Sequence, residues 1–318
     1  MPHVSIVIRS YNEAEHIGKL MRGIASQGFS DHEVILVDSG STDETVAIAE
    51  AHGARIVHIE KSEFSFGRAL NIGCAAAKGE ILLFASAHVY PLRTDWLEHM
   101  VAPFERDGVE LVYGRQVGND VTKFSEHQVF ESWFPARSVP RQAGYFCNNA
   151  NCAIRRSSWE NRRYDETLTG LEDLAWAKLA QQQGGQIAYV ADAVIAHVHD
   201  ESWGRVRNRY RREAIALKRI EPSIRVGFLD FLRLTTSNVA ADLRSARARR
   251  QLKQEWASIL LFRFNQFYGT WRGHADSAPI DSALRERFYY PAAEPQHHHP
   301  HAHKDGSVAA LERSIQYD

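Results

Sequence analysis

Short apolar runs alternate with amphipathic stretches through the first half of the chain. Val4–Ile8, Val34–Asp38, Arg55–Ile59 and Ile81–Ala85 are rich in β-branched and other apolar residues and lead into polar turns, which predicts strands. Between the first two runs, apolar residues recur at positions 17, 20, 21 and 24, which predicts a helix with one buried face. This alternation predicts an α/β fold around a mostly parallel sheet.

Three more helices are predicted from local signals. Ser41 and Glu44 have the spacing of a capping box, so a helix is expected to start there. Gly67–Lys78 has helical character and is followed by a glycine. Thr94 is placed to cap a further helix, which carries a tryptophan and several large aliphatic residues.

The remainder of the chain divides into an irregular part, a mixed part and a helical part. Residues 121–151 are rich in aromatic and amide side chains and show no clear period. Leu174–Gln183 predicts a helix, and Ile187–Val190 and Val194–Val198 predict two strands. From 203 to 272 the chain is arginine-rich and favours helices, with no strand pattern.

These patterns predict a catalytic-type α/β domain over 1–222, a helical region over 223–290 and a mobile, histidine-rich tail over 291–318. The helical region has an aromatic and basic amphipathic character. Such a face is expected to pack on the first domain, but it could also join two copies in a homodimer or lie on an anionic membrane surface.

Composition limits the classes of function. The 318 residues have a net charge of −1, which gives no basic excess of the kind that nucleic-acid binding needs. Three unevenly spaced cysteines indicate neither a disulfide framework nor a zinc module. The opening residues do not resemble a signal peptide, and no apolar stretch reaches the roughly 20 residues of a membrane span. We therefore expect a cytoplasmic protein, which could be peripheral at the inner face of the cell membrane.

Polar residues follow the first two strands, at the edge where parallel α/β sheets bind ligands. Arg9, Tyr11 and Glu13 follow the first strand, and Asp38 and Ser41 follow the second. A carboxylate here could accept hydrogen bonds from a base or ribose, beside a helix start that favours anions. The alternative is that Asp38 and Ser41 only cap the turn.

Four segments of the chain carry a recognisable pattern. They are Val4-Ser5-Ile6-Val7-Ile8-Arg9-Ser10-Tyr11-Asn12-Glu13, Val37-Asp38-Ser39-Gly40-Ser41-Thr42-Asp43, Phe64-Ser65-Phe66-Gly67-Arg68-Ala69-Leu70-Asn71-Ile72-Gly73 and Ala77-Lys78-Gly79-Glu80-Ile81-Leu82. In order and spacing they resemble glycosyltransferase family 2, in its rhamnosyltransferase-like branch, and the resemblance covers roughly residues 3–220.

The resemblance implies a GT-A fold and inverting transfer from a nucleotide-diphosphate sugar to a polysaccharide or a lipid-linked oligosaccharide. It places Tyr11, Glu13 and Asp38 in the nucleoside pocket and Arg68 and Asn71 near the base or diphosphate. The full set of expected donor-binding residues is Arg9, Tyr11, Glu13, Asp38, Ser41, Arg68, Asn71, Ser86 and His88.

His88 departs from the family pattern. It stands where the resemblance implies the last acid of a DxD-type motif, which binds the metal on the diphosphate. It could ligate Mn²⁺ more readily than Mg²⁺, donate directly to phosphate, or be structural. His197 is a second expected ligand. Only one of His197 and His199 is expected to face the site, and His199 is the less favoured of the two.

Glu172 and Asp173 match the acidic segment that holds the catalytic base of the family. The base would be Asp173, because an attacking hydroxyl must lose a proton. Helix capping explains the same two acids without the resemblance. The resemblance also places Asn148, Asn149 and Asn151 beside the acceptor.

Two other functions compete with glycosyl transfer. A sugar-phosphate nucleotidyltransferase usually has a glycine-rich loop after the first strand, and residues 9–12 contain no glycine. A catalytically inactive nucleotide-binding scaffold is compatible with the missing acid at position 88 but not with retention of Glu172 and Asp173.

Overall fold

The computed structural model describes residues 2–276, 288–290 and 313–317, which contain eight strands and ten α-helices. The strands are β1 (Val4–Ser10), β2 (His32–Asp38), β3 (Arg55–His58), β4 (Ile81–Ser86), β5 (Val89–Pro91), β6 (Val109–Val117), β7 (Asn151–Arg155) and β8 (Gln186–His197). The helices are α1 (Ala14–Ala25), α2 (Thr45–Ala51), α3 (Phe66–Ala76), α4 (Trp96–Val101), α5 (Phe124–Trp133), α6 (Arg156–Asn161), α7 (Glu172–Gln182), α8 (Trp203–Ile220), α9 (Phe228–Ala248) and α10 (Leu252–Ala275).

All eight strands belong to one sheet, in the order β3-β2-β1-β4-β7-β6-β8-β5. The strands β3, β2, β1 and β4 are mutually parallel, and β8 is parallel to β6. The strand β7 is antiparallel to both β4 and β6, and β5 is antiparallel to β8. Four of the seven strand pairs are therefore parallel, which confirms the predicted α/β class.

Two apolar clusters fill the two faces of the sheet. In β1, Ile6 and Ile8 belong to one cluster and Val7 to the other, as alternation along a strand requires. The predicted helical face of α1 packs into the first cluster, through Ile17, Leu20, Met21 and Ile24. These helices and strands fix the positions of the loops at the carboxyl edge of the parallel strands.

Some predictions from the sequence are wrong. The two strands predicted around 187–198 are one strand, β8, because Asp192 points to solvent between buried alanines without breaking it. The capping box does not form: α2 begins at Thr45, whose N–H bonds to the Asp43 carboxylate, and Ser41 bonds elsewhere. The strand β6 and the helix α5 were not predicted from the sequence.

After residue 203 the described chain is helical, as predicted. The helix α10 packs closely along α8, and glycine makes this possible. A Cβ atom at Gly269 or Gly273 would collide with the carbonyl oxygens of Arg207 and Arg211. Helix α8 therefore packs with the helical region although it lies before residue 222. Among the described helices, none is both long and apolar enough to cross a bilayer.

The predicted mobile tail lies mostly outside the described residues. Its described part, 313–317, lies against the segment around β5. Ser314 bridges to Arg93, and the Tyr317 hydroxyl donates to the Pro91 carbonyl at 2.5 Å.

Asn151 is a buried cross-link of the sheet. Its amide nitrogen donates to the carbonyl oxygens of Arg115 (3.1 Å) and Ala193 (2.8 Å), and its amide oxygen accepts from the Trp96 indole (2.9 Å). Every polar group of this side chain is thus used inside the protein, and the acceptor contact of Asn151 stays a prediction.

We expect Asn151→Ala to lower the free energy of unfolding by about 3 kcal/mol, because it leaves buried polar groups without partners. Urea unfolding measures this change. The matched control is Asn161→Ala at an exposed position, which should cost less than about 1 kcal/mol. Equal losses in the two variants would contradict the cross-link.

Candidate active site

The candidate active site lies where β1, β2 and β4 end. In the strand register Ser10 pairs with Asp38 and Arg9 with Ser86, so the predicted residues of three strands lie side by side. His88 follows between β4 and β5. This is the edge at which open α/β sheets bind ligands.

Asp38 organises the loop after β2. Its carboxylate accepts from the backbone N–H groups of Gly40 and Ser41, each at 3.0 Å, and from the hydroxyls of Ser10 (3.2 Å) and Ser41 (2.5 Å). Gly40 has φ of 88°, a conformation that favours glycine. Asp38 and Ser41 thus hold this turn, and Gly40 lines a cavity together with Lys61.

An aromatic pocket adjoins that loop. The Lys61 ammonium donates to the Tyr11 hydroxyl at 2.9 Å and lies 4.4 Å from the centre of its ring. The Tyr290 ring meets Tyr11 edge-on at 4.6 Å and also contacts Phe64. Sequence reasoning missed Lys61 and Tyr290 as site residues. Tyr290 is 279 positions from Tyr11, and no periodic pattern marks it.

Arg68 and Asn71 have structural partners. The Asn71 amide donates to the Tyr164 carbonyl (3.0 Å) and accepts from the Tyr164 N–H (3.0 Å) and the Trp159 indole (3.0 Å). Arg68 forms exposed ion pairs with Glu63 and Glu166. In the described structure the Asn71 amide joins α3 to the segment that follows α6, and a contact of Asn71 with the donor stays a prediction.

Three imidazole side chains converge beside the strand ends. The Nε2 atoms of His197 and His199 are 3.0 Å apart, and the His88 ring stacks on His197 with 5.1 Å between centroids. One possible ligand atom from each residue lies within 4.8 Å of the others. The expectation that only one of His197 and His199 faces the site is wrong, because residues two positions apart along an extended chain lie on the same side.

Each imidazole is held at its other nitrogen. The Nδ1 atoms are 2.7 to 2.9 Å from side-chain oxygens of three different elements or loops. The pairs are His88 with Glu13, His197 with Gln116, and His199 with Glu126. Each of these oxygens can accept a hydrogen bond from Nδ1, and the Nε2 atoms of His197 and His199 face each other at 3.0 Å. Ordered partners of this kind are typical of histidines that ligate metals.

The surroundings shift the pKa values of His197 and His88 in opposite directions. Burial lowers the pKa of His197, and the neighbouring His199 and His88 lower it further. Burial works in the same direction on His88, but the Glu13 carboxylate raises its pKa above the usual value. His88 thus accepts a proton more readily than His197 when no other cation is nearby.

A buried ion network supports His199. The Glu126 carboxylate is shared between His199 (2.7 Å) and the Arg209 guanidinium (2.5 Å), which also binds Glu201 at 2.7 Å. Burial opposes ionisation of Glu126, but Arg209 and His199 lower its pKa to about 2. Glu126, His199 and Glu201 also lie close enough together to hold a metal ion. The Arg209 guanidinium, however, already balances the negative charge of the two carboxylates.

Glu172 and Asp173 begin α7 in the buried interior of the site. Glu172 pairs with Arg9 at 2.8 Å, which ties the end of β1 to the start of α7. The Asp173 carboxylate accepts from the N–H groups of Asn149 (2.8 Å) and Leu174 (2.7 Å). Burial, followed by the neighbouring Glu172, raises the pKa of Asp173 to about 7.

The backbone before these acids is unusual. Leu171 has φ of 56°, in the left-handed region that non-glycine residues rarely adopt. Asn12, beside Tyr11 and Glu13, has φ of 53°. Strain of this kind persists where the surrounding structure imposes it, and it is common at functional sites.

Asn148 and Asn149 behave differently from Asn151. The Asn148 side chain accepts from the Ala150 N–H at 2.9 Å and is half-buried. The Asn149 side chain is 3% exposed, and no hydrogen-bond partner in the described structure reaches its amide oxygen or nitrogen. A buried amide without partners next to Asp173 needs an explanation.

The comparisons agree with this geometry. The sequence profile of glycosyl transferase family 2 matches residues 5–168, and the chain belongs to that family. Glycosyltransferase AglE of Haloferax volcanii is 28% identical over 62% of this chain and 67% of its own length. The O-antigen chain rhamnosyltransferase RfbN of Salmonella typhimurium is 25% identical over 62% of this chain and 67% of its own length.

A solved structure shows the same fold. The mannosyltransferase PcManGT of Pyrobaculum calidifontis, in complex with GDP-Man and Mn²⁺, has a TM-score of 0.57 at 20% identity, over 92% of this chain and 88% of that one. The fold is therefore of the GT-A type, as predicted.

The raised pKa of Asp173 has a consequence for stability. The folded state holds this proton more tightly than the unfolded state, so Asp173 destabilises the fold increasingly as the pH rises from about 4 to about 7. Asp173→Asn should remove this contribution, which has a slope of at most about 1.4 kcal/mol per pH unit. Urea unfolding at a series of pH values measures it.

The control is Asp192→Asn, at an exposed position of β8. Its unfolding free energy should run parallel to that of the wild type between pH 4 and 7. If the Asp173→Asn curve also runs parallel to the wild type, Asp173 is an ordinary acid and its assigned environment is wrong.

Proposed function

We propose that this chain is an inverting glycosyltransferase that moves a sugar from a nucleotide-diphosphate donor to a growing surface polysaccharide or lipid-linked oligosaccharide. The observation that carries the proposal is the buried Asp173 carboxylate, whose pKa is raised to about 7 at the strand-end site. Family membership supports the reaction class, and the name of RfbN supports the acceptor class.

Asp173 is suited to act as the general base. An acceptor hydroxyl attacks the anomeric carbon, its proton passes to the Asp173 carboxylate, and the bond from the anomeric carbon to the diphosphate oxygen breaks. A base with a pKa near the working pH combines a useful ionised fraction with a strong affinity for the proton. Because attack and departure occur on opposite faces of the sugar in one displacement, the anomeric configuration inverts.

Arg9 and Glu172 position this base. Their ion pair fixes the first residue of α7, and Leu171 holds the chain before it in a left-handed turn. Arg9 also lies within electrostatic range of Asp173 and His88. One cation is thus in electrostatic reach of both the base and His88, and it could stabilise the charge that develops on the leaving diphosphate.

The nucleoside would lie against the loop after β2. Tyr11 and Lys61 offer an aromatic surface and a cation, and the Asp38 loop offers polar backbone groups. This assignment keeps Tyr11, Glu13, Asp38 and Ser41 in the donor site as lining or supporting groups. Glu13 supports it indirectly, because its carboxylate holds His88.

A divalent cation fits the imidazole cluster. His88, His197 and His199 each offer one ring nitrogen within 4.8 Å of the others, which is close enough for one ion to be shared. Nitrogen ligands favour Mn²⁺ and other transition ions, whereas Mg²⁺ prefers oxygen. When bound, the ion would neutralise the diphosphate. The proposed ligand set therefore adds His199 to the predicted pair of His88 and His197.

The side-chain amide of Asn149, which has no hydrogen-bond partner in the described structure, is suited to bind a sugar. Its buried oxygen and nitrogen can accept from and donate to hydroxyl groups, and its backbone N–H already binds Asp173. We assign Asn149 to the sugar beside the base, with Asn148 next to it.

We expect Asp173→Asn to lower kcat for sugar transfer by about 10²- to 10⁴-fold, because the attacking hydroxyl loses its base. Transfer of a radiolabelled sugar to membrane-extracted acceptors measures this, and calorimetric titration with the nucleoside diphosphate should show an unchanged Kd. Asp192→Asn is the control and should keep full activity. A variant at position 173 with more than a tenth of wild-type kcat would place the base elsewhere.

We expect one of UDP, dTDP, GDP and CDP to raise the melting temperature selectively, and more with Mn²⁺ than with Mg²⁺ or EDTA. A ligand present at 100 times its Kd stabilises the fold by about 2.7 kcal/mol. His88→Ala and His199→Ala should each remove the Mn²⁺-dependent part, whereas His52→Ala at an exposed position should not.

Other outcomes of this screen separate the alternatives. An equal shift in EDTA and Mn²⁺ would mean that the diphosphate is bound without a metal, by His88 and Arg9. A selective shift without any transfer activity would favour an inactive nucleotide-binding scaffold. If no nucleoside diphosphate shifts the melting temperature, the donor site is wrongly assigned.

A further inference from the structure

The helices α9 and α10 form an antiparallel pair with many large apolar side chains exposed. Leu229 is 78% exposed, although leucine is usually buried. The other exposed apolar residues in or just before this pair are Ile224, Phe228, Leu232, Trp256, Leu260, Leu261 and Phe264. We call the surface that they form the hairpin face. Contiguous exposure of this kind marks an interaction site.

The hairpin face has helical order. On α10, Lys253, Trp256, Leu260 and Phe264 are spaced by three and four residues, so they share one side of the helix. Phe231 of α9 contacts Phe264 at 5.8 Å between ring centroids, which joins the two helices into one apolar surface. The stripe on α10 thus begins with a cation and continues with aromatic and aliphatic residues.

The exposed charges of the same segment are positive. Between residues 223 and 276 the exposed cations are Arg225, Arg233, Arg244, Arg247, Arg249, Arg250, Lys253 and Arg272. None of the four acids of this segment is classed as exposed. Asp242 is buried against Arg263 at 2.7 Å, Glu255 is buried, Asp276 pairs with Arg211, and Asp230 pairs with Arg233.

We propose that the hairpin face binds the surface of an anionic lipid bilayer. Its apolar side chains would enter the boundary between headgroups and acyl chains, and its arginines and lysine would lie among the lipid phosphates. A second copy of the chain fits the face less well, because a twofold contact places the same cations opposite each other.

The hairpin face and the candidate site share their supporting helices. The helix α10 packs along α8, which carries Arg209, and α5, which carries Glu126, packs against both α9 and α10. If the proposed transfer to a lipid-linked acceptor is correct, docking by this face keeps the site near the membrane that holds the acceptor. Bilayer binding itself does not depend on that reaction.

Sedimentation of the full chain with vesicles tests the proposal. The wild type should bind vesicles of phosphatidylcholine with phosphatidylglycerol, bind pure phosphatidylcholine weakly, and dissociate as salt is raised. Arg225→Gln with Lys253→Gln should weaken binding about 25-fold, at roughly fivefold for each charge. Leu229→Gln with Leu261→Gln should weaken it at least tenfold.

Matched controls remove the same groups from other surfaces. Lys78→Gln with Arg106→Gln removes two exposed charges, and Val139→Gln with Leu179→Gln removes two exposed apolar side chains. Both controls should bind vesicles as the wild type does. All variants should keep the wild-type melting temperature and nucleoside diphosphate binding, which separates a failure of this proposal from a failure of the proposed function.

Three results would overturn the proposal. The folded wild type could fail to sediment with anionic vesicles, or the controls could lose binding as much as the hairpin variants do. Alternatively, gel filtration could show a dimer that Leu229→Gln with Leu261→Gln dissociates, without any vesicle binding, which would make the hairpin face an interface between copies.

Discussion

The convergence of three imidazole rings depends on hydrogen bonds at one nitrogen of each ring. Glu13, Gln116 and Glu126 hold the three Nδ1 atoms, and these partners come from the start of α1, from β6 and from α5. The mixed order of the sheet brings these distant segments together. One possible ligand atom from each ring lies within 4.8 Å of the others, so a single cation could be shared among them.

A second constraint links this cluster to the proposed base. Arg9 and Glu172 are 163 positions apart, yet their ion pair at 2.8 Å joins the end of β1 to the start of α7. The site therefore holds the Arg9 guanidinium close to the two buried acids, Glu172 and Asp173. A glycosyl transfer needs both kinds of group, since negative charge develops on the leaving diphosphate while a proton leaves the acceptor.

The sequence was sufficient for the α/β class, the strand ends and the first helix, because periodicity and turn residues report local structure directly. The family resemblance points to Asp173 and His88 as site residues, and their roles stay predictions. A motif does not show that an amide such as that of Asn71 or Asn151 is already bonded inside the protein. His199 was wrongly set apart from His197, because residues two positions apart along a strand share a face. Tyr290 was missed because its contact depends on tertiary folding alone.

A divalent cation held by His88, His197 and His199 would neutralise the donor diphosphate. Pulsed electron paramagnetic resonance of Mn²⁺, bound to the protein together with the selected nucleoside diphosphate, tests in one spectrum whether the ion contacts both the imidazoles and the diphosphate. The account predicts nitrogen-14 couplings from imidazole and phosphorus-31 couplings from the diphosphate on the same ion, with the nitrogen couplings reduced in His199→Ala. A Mn²⁺ spectrum with water and phosphate oxygen ligands but no nitrogen coupling would contradict it.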